Sequence, residues 1–178
     1  MPPARFERSW PGSSVSSDER FERVVREYGA ALRRLVSGWE RDRTAQEDLL
    51  QEILVALWRA LPRFRGEASE RTFVFRVALN RAMTHRFRRA PPASPLDDAA
   101  HLADSRQSPE AEAATAQQRE RLVAALQSLP PSLRETVTLG LEGFSGAEIA
   151  DVLGITENNA MVRLSRARRA LREAMNRP

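Results

Sequence analysis

From Asp18 onward, apolar residues recur at steps of three and four: Phe21, Val24, Val25, Tyr28, Leu32 and Leu35. That spacing lays one apolar stripe along a helix, and Ser17 or Asp18 is placed to cap it. A second helix is predicted over about 44–61, with Leu49, Leu50, Ile53, Leu54, Leu57 and Trp58 on its apolar side and Pro62 and Gly66 ending it. A third runs from near Ser69 to about Arg89 through Phe73, Phe75, Val77, Ala78, Ala82 and Met83. Periodicity then stops. Residues 90–116 are dominated by Pro, Ser, Ala and acids, with five carboxylates against Arg106, a net −4. This stretch reads as an extended, flexible acidic linker. Helical spacing returns at about 117–128, ended by Pro130 and Pro131, and again at about 131–142, ended by Gly143. Residues 1–17, rich in Pro, Ser and Gly, read as a disordered tail. No strand pattern or repeat is visible. The expectation is an all-α chain with two small helical domains, 18–89 and 117–178.

The stretch FSGAEIADVLGITENNAMVRLSRARRAL, Phe144 to Leu171, carries the clearest local signal. Ser145 can cap a short helix over 146–153, with Glu148 in capping-box position. Gly154 takes a turn that needs positive φ, and Thr156 caps the next helix. Ala150 leaves room for the two helices to approach. Ile149, Leu153 and Ile155 fill the angle between them. This is helix-turn-helix spacing. On the second helix Ala160, Leu164, Ala167 and Leu171 form the inward stripe. The opposite face holds Asn158, Asn159, Val162, Arg166 and Arg169, with Arg163 and Ser165 at its margins. Asn and Arg on such a face can read base edges and hold phosphates.

Composition narrows the chemistry. All 28 basic residues other than histidine are Arg, and the net charge is +4. Arginine's planar fork suits phosphate and guanine edges, so an anionic partner is favoured. With no Cys and only His85 and His101, disulfides, thiol chemistry and Cys- or His-based metal sites are excluded. No apolar run reaches the length of a membrane span, and the first residues lack a signal-peptide core. The expectation is a cytoplasmic protein with no cofactor, no metal and no enzymatic activity of its own.

The segment RTFVFRVALNRAMTHRFRR, Arg71 to Arg89, is basic throughout, with Phe73, Phe75 and Phe87 interleaved. Aromatics beside Arg can stack on unpaired bases, or they can be core with the arginines solvated. Ahead of it, Glu47, Asp48, Gln51 and Glu52 crowd the start of the second helix, where acids favour the dipole. Without a His partner, a further metal ligand or a phosphate loop, a docking surface is the better functional reading.

Taken in order, these motifs resemble the small, extracytoplasmic-function class of sigma factors in the sigma-70 family. QEDLLQEILVALWRALPRFRGEASERTFVFRVALNRAMTHRFRR is similar to the family's region two. SLPPSLRETVTLGLEGFSGAEIADVLGITENNAMVRLSRARRAL is similar to region four. The resemblance implies a subunit that binds core RNA polymerase through its beta-prime and beta subunits, recognises two promoter elements and helps melt the DNA. It places Asp48, Leu49, Gln51 and Glu52 on the surface that docks on the polymerase. Arg76, Asn80, Arg81 and Arg86 fall at the minus-ten element, with Asn80 at the pocket for a flipped-out base. Asn159, Val162, Arg163, Ser165, Arg166 and Arg169 fall at the minus-thirty-five element. An anti-sigma factor is the further partner the resemblance implies, and the acidic linker matches the segment that threads toward the polymerase active site and RNA-exit channel.

The chain also departs from the family pattern. Met161 and Val162 replace a basic residue and a serine in the reading helix, which removes a phosphate contact and offers an apolar one to a thymine methyl. Leu79 and Thr84 replace an Arg and an Asp, and Phe73 and Phe75 replace a Trp and a Tyr. A rival reading is a dimeric DNA-binding regulator that uses the helix-turn-helix at a palindrome without polymerase. It leaves the Asp48–Glu52 surface and the Asn80 helix unexplained.

Overall fold

The computed structural model describes residues 17–89 and 111–176. The N-terminal tail before Ser17, most of the expected linker and His101 lie outside them. Every regular element among the described residues is helical: α1 (Ser17–Trp39), α2 (Arg43–Ala60), a single 3-10 turn (Leu61–Arg63), α3 (Glu70–Arg89), α4 (Ala111–Ser128), α5 (Pro131–Leu141), α6 (Gly146–Leu153) and α7 (Glu157–Met175).

Local chemistry sets most boundaries. Asp42 accepts from Ala45 N at 2.9 Å and starts α2. Pro62 sits in the first turn of the 3-10 segment, and Gly66 beyond it adopts φ +80°. Pro131 stands at the start of α5, where its missing N–H costs nothing. One boundary differs from the expectation. α4 begins at Ala111, so the last residues of the expected linker are helical. Ala-rich sequence has the strongest intrinsic helix preference, and it outweighs the linker-like scarcity of large apolar residues there.

Helices α1, α2 and α3 pack around Val24, Leu32, Leu35, Leu49, Ile53, Leu57, Leu61, Val74 and Phe75, all at most 1% exposed. One expectation is corrected. Trp58, assigned to the apolar side of α2, is half exposed, with its indole N–H donating to Asp18 Oδ1 at 3.3 Å. Of the two readings left open for the aromatics of α3, Phe75 takes the core one, edge-on to Phe144 at 4.9 Å between ring centroids.

That last contact crosses from the first helical block to the second, and the two share one apolar cluster in which Leu139, Phe144, Ile149 and Ala150 join the α1–α3 core. Polar groups line the seam. The Arg71 guanidinium lies 3.8 Å over the Phe144 ring and donates to the Glu142 carbonyl. Arg34 holds the Glu142 carboxylate with two bonds, of 2.8 and 2.7 Å. Gln127 of α4 donates to the Ser37 and Glu40 carbonyls at 2.7 and 3.1 Å. It thereby satisfies acceptors that the end of α1 leaves open. Arg134 of α5 is buried, with its guanidinium 5.3 Å over the Trp39 ring and donating to the Leu129 carbonyl at 2.9 Å. Burial brings its pKa down to about 10, and the nearby Arg86 charge adds to the effect.

Two outcomes test these contacts. Phe144→Ala removes a buried ring from the seam and should lower stability by about 3–5 kcal/mol in urea unfolding; an unchanged midpoint would show that the seam is not formed in solution. Glu70, at the start of α3, receives two bonds from Arg23, of 2.8 and 2.7 Å, which hold its carboxyl below the ordinary carboxylate value. The resulting stabilisation is present above the unfolded-state pKa and is lost as pH falls through the lower folded value. Glu70→Gln should therefore flatten the acid side of the thermal stability profile below about pH 5, read by calorimetry on both proteins.

Candidate nucleic-acid and polymerase-docking faces

The helix-turn-helix forms as its spacing predicts. Ser145 Oγ accepts from Glu148 N at 3.3 Å, and the Glu148 carboxylate returns to Ser145 N at 2.8 Å, closing a capping box. These bonds hold the Glu148 carboxyl below its ordinary value. Gly154 takes the left-handed conformation at φ 65°, and Ile155 N closes the turn on the Ala150 carbonyl at 3.1 Å. Thr156 caps α7 by accepting from Asn159 N at 3.3 Å. Ala160, Leu164, Ala167 and Leu171 are all buried. Under Leu164 the packing is close: a Cβ on Gly140 would lie 2.8 Å from its Cδ1.

The residues expected at the minus-thirty-five element divide into two groups. Val162, Ser165, Arg166 and Arg169 are exposed on the outward face with Asn158. Arg163 turns aside. Its Nε donates to Asn159 Oδ1 at 3.1 Å, and its Nη1 lies 3.4 Å from Glu135. Burial pushes the Glu135 carboxyl up, and the Arg163 charge offsets part of that rise. Arg163 and Asn159 thus hold each other rather than stand free. Met161, half exposed, folds over Gly146 at the start of α6, where an added Cβ would meet its Sδ at 2.6 Å.

On α3 the four residues expected at the minus-ten element do not share a face. Arg76 and Asn80 are exposed, one turn apart, and the next turn adds Thr84. Phe87 follows on the same side at 75% exposure, the one aromatic of the segment free to stack. Phe73 instead stacks on Phe64 at 4.5 Å. Arg81 points to α2 and lies 3.9 Å from Glu52, and the Arg86 charge acts on Arg134 of α5. Arg76 reaches across the seam to donate to the Asp151 carbonyl of α6 at 2.5 Å.

On α2, Asp48 and Gln51 are exposed and Glu52 is half-buried. Leu49 corrects the expectation: it is fully buried. Its place on the inward stripe is what turns Asp48 and Gln51 outward. Val55 continues the outer face at 41% exposure. A cleft between α2 and α3 is lined by Asp48, Glu52 and Val55 on one side and Arg81, His85 and Arg88 on the other. At its base His85, 5% exposed, stands 3.2 Å from Glu52 and 3.7 Å from Glu40. Sequence reasoning assigned His85 no role; a single His on a basic helix carries no signal until α1 and α2 bring carboxylates to it. Among the described residues no group of acids and histidines could hold a metal ion, and no helix is long and apolar enough to cross a membrane.

Comparison with known proteins agrees with this layout. Residues 24–91 match the family model described as sigma-70 region 2, and residues 119–171 match that described as sigma-70, region 4. The chain is 32% identical to the ECF RNA polymerase sigma factor SigM of Mycobacterium tuberculosis, over 85% of this chain and 74% of that protein. It is 30% identical to the RNA polymerase sigma-H factor of Pseudomonas aeruginosa, over 87% and 86%. The RNA polymerase sigma factor CnrH of Cupriavidus metallidurans is 29% identical over 96% and 95%. CnrH in complex with the cytosolic domain of CnrY superposes with a TM-score of 0.65 at 25% identity, covering 89% of each chain. The sigma factor RpoE of Bartonella quintana, in complex with the anti-sigma factor NepR, has the same fold, with a TM-score of 0.69 at 22% identity over 89% of this chain and 99% of that one. With two region models matched in order and relatives aligned along most of their length, the chain belongs to the sigma-70 family, among the extracytoplasmic-function RNA polymerase sigma factors.

Proposed function

We propose that this chain binds core RNA polymerase through the outer face of α2 and directs initiation at promoters whose minus-ten and minus-thirty-five elements it reads with α3 and α7. The observation that carries this is the pairing, in one chain, of an outward polar face on α2 with two separate outward DNA-facing surfaces. A plain helix-turn-helix regulator has no use for the first of them.

Asp48 and Gln51, both exposed, make the polar contacts to polymerase, with Glu52 at the edge and Val55 adding apolar area. Asn80 pairs with the edge of an unstacked base, and Phe87 offers a ring for stacking. Arg76 supplies phosphate attraction once it is released from Asp151. Arg81 and Arg86 act differently from the expectation: one steadies Glu52 and the other adds to the field around the seam. On α7, Asn158, Val162 and Ser165 face the bases, and Arg166 and Arg169 hold the backbone.

The seam sets a condition on activity. With α3 and α6 in contact, α7 is tied to α3 through α6, whereas two elements separated along a duplex must be met by readers held apart. Polymerase binding therefore has to part the blocks, exposing the Phe75–Phe144 contact and freeing Arg76. A second protein can oppose this by binding the joined form. The sigma factor RpoE of Bartonella quintana is seen in complex with an anti-sigma factor, and we assign this chain an anti-sigma partner.

Run-off transcription on fragmented genomic DNA, with core polymerase alone and with the chain added, tests the reading. Discrete transcripts should depend on the chain. The double substitution Asp48→Ala and Gln51→Ala should weaken core binding. Asn80→Ala should leave core binding intact and lower initiation about tenfold. Absence of both transcripts and core binding would sink the proposal in favour of the polymerase-independent regulator.

A further inference from the structure

The outward face of α7 changes character along its length. Its C-terminal half presents Arg166, Arg168, Arg169 and Arg172, all exposed. Its N-terminal half is the part that reaches base edges when such a helix enters the major groove. There the exposed side chains are Glu157, Asn158, Asn159, Met161, Val162 and Ser165. Asn159 is already engaged by Arg163, and Arg163 is drawn back toward Glu135. The deep half of the reading helix therefore offers no free cation. At its centre stand two neighbouring apolar side chains, Met161 at 50% and Val162 at 41% exposure.

Neither is needed for the core. The inward stripe of α7 is complete with Ala160, Leu164, Ala167 and Leu171. Met161 is bent onto Gly146, close enough that no Cβ fits beneath it. Val162, the next residue and turned about 100° from it, stands on the outward face between Asn158 and Ser165.

Given the promoter-reading role proposed above, we infer that Val162 reads the 5-methyl group of a thymine, so that the minus-thirty-five element carries a thymine at the position facing it. In the major groove only thymine presents a methyl group among the four bases. Cytosine carries only a hydrogen at the corresponding carbon, so against Val162 it forgoes the methyl contact. A valine thus selects for thymine by apolar contact.

The test uses full-length protein, core polymerase and a promoter recovered by the run-off experiment, with each thymidine of its minus-thirty-five element replaced in turn by deoxyuridine. Uracil keeps the hydrogen-bonding edge and lacks only the methyl group. At one position initiation should fall about fourfold, the worth of one buried methyl. With Val162→Ala, shown to be folded by circular dichroism, that difference should vanish. Val162→Thr, nearly isosteric and retaining one methyl, should keep part of it. Arg166→Ala should lower initiation on thymidine and deoxyuridine templates alike. Equal use of thymidine and deoxyuridine at every position by the unsubstituted protein would overturn the inference while leaving the sigma activity standing. Absence of initiation on the unmodified promoter would remove both.

Discussion

The contact of Phe144 with Phe75 and Arg71 is the one on which the arrangement of the molecule depends. Phe144 occupies the short turn between α5 and α6, is 5% exposed, and meets an aromatic edge on one side and a guanidinium on the other. A ring that size contributes several kcal/mol through burial alone, and a stacked cation adds to it. Around it the hydrogen bonds fall into place: Arg71 reaches the Glu142 carbonyl, Arg34 takes the Glu142 carboxylate, and Gln127 closes the end of α1. Each of these polar contacts is exposed or part-buried and individually modest. Their geometry depends on the ring that fixes the distance between α3 and α6.

This seam makes the two blocks mechanically one body while leaving each with its own packing. Ala125, Leu126, Leu129, Val137, Ala167 and Leu171 form a separate cluster inside the second block. The first block keeps its α1–α3 core without help from α7. Parting the blocks therefore uncovers the Phe75 and Phe144 rings, the face of Trp39 under Arg134, the aliphatic side chains of the shared cluster and several polar groups that water can satisfy. That balance suits a protein whose reading helices must work at a distance from one another. A seam much larger and more apolar would resist opening, and one without Phe144 would give the joined form little preference.

What the sequence made legible follows from how far each signal reaches along the chain. The α6–α7 turn was readable to the residue because its determinants are local: a capping box spanning three residues, a glycine at positive φ and a second cap directly after it. Membership of the family was readable for the same reason, being carried by short motifs in order. Side-chain orientation within a helix was less so. Leu49 was placed on the docking surface because it neighbours Asp48 and Gln51, but adjacent residues point about 100° apart, and Leu49 falls inward. Phe75 and Phe87 look alike in a basic run, and only the arrival of Phe144 from the other block buries the first and not the second. The seam itself left no trace in the pattern. Its partners are separated by 108 residues for Arg34 and Glu142 and by 71 for Arg71 and Glu142, and no periodicity links positions so far apart. The resemblance groups Arg81 and Arg86 with Asn80, but in the fold Arg81 lies beside Glu52 on the α2 side, an orientation that no local signal shows.

The seating of Met161 on Gly146 bears on how such a protein changes over generations. The thioether is the yielding end of a flexible side chain, so a larger residue at 146 displaces it at little cost to folding. The displaced group lies on the face proposed above to read DNA, however. On that reading, a substitution at position 146 is close to silent for the fold yet changes the surface offered to DNA, although it lies in a different helix from the reader. Drift in promoter preference then has a path that leaves α7 unchanged, and two descendants with identical reading helices can diverge in the genes they serve.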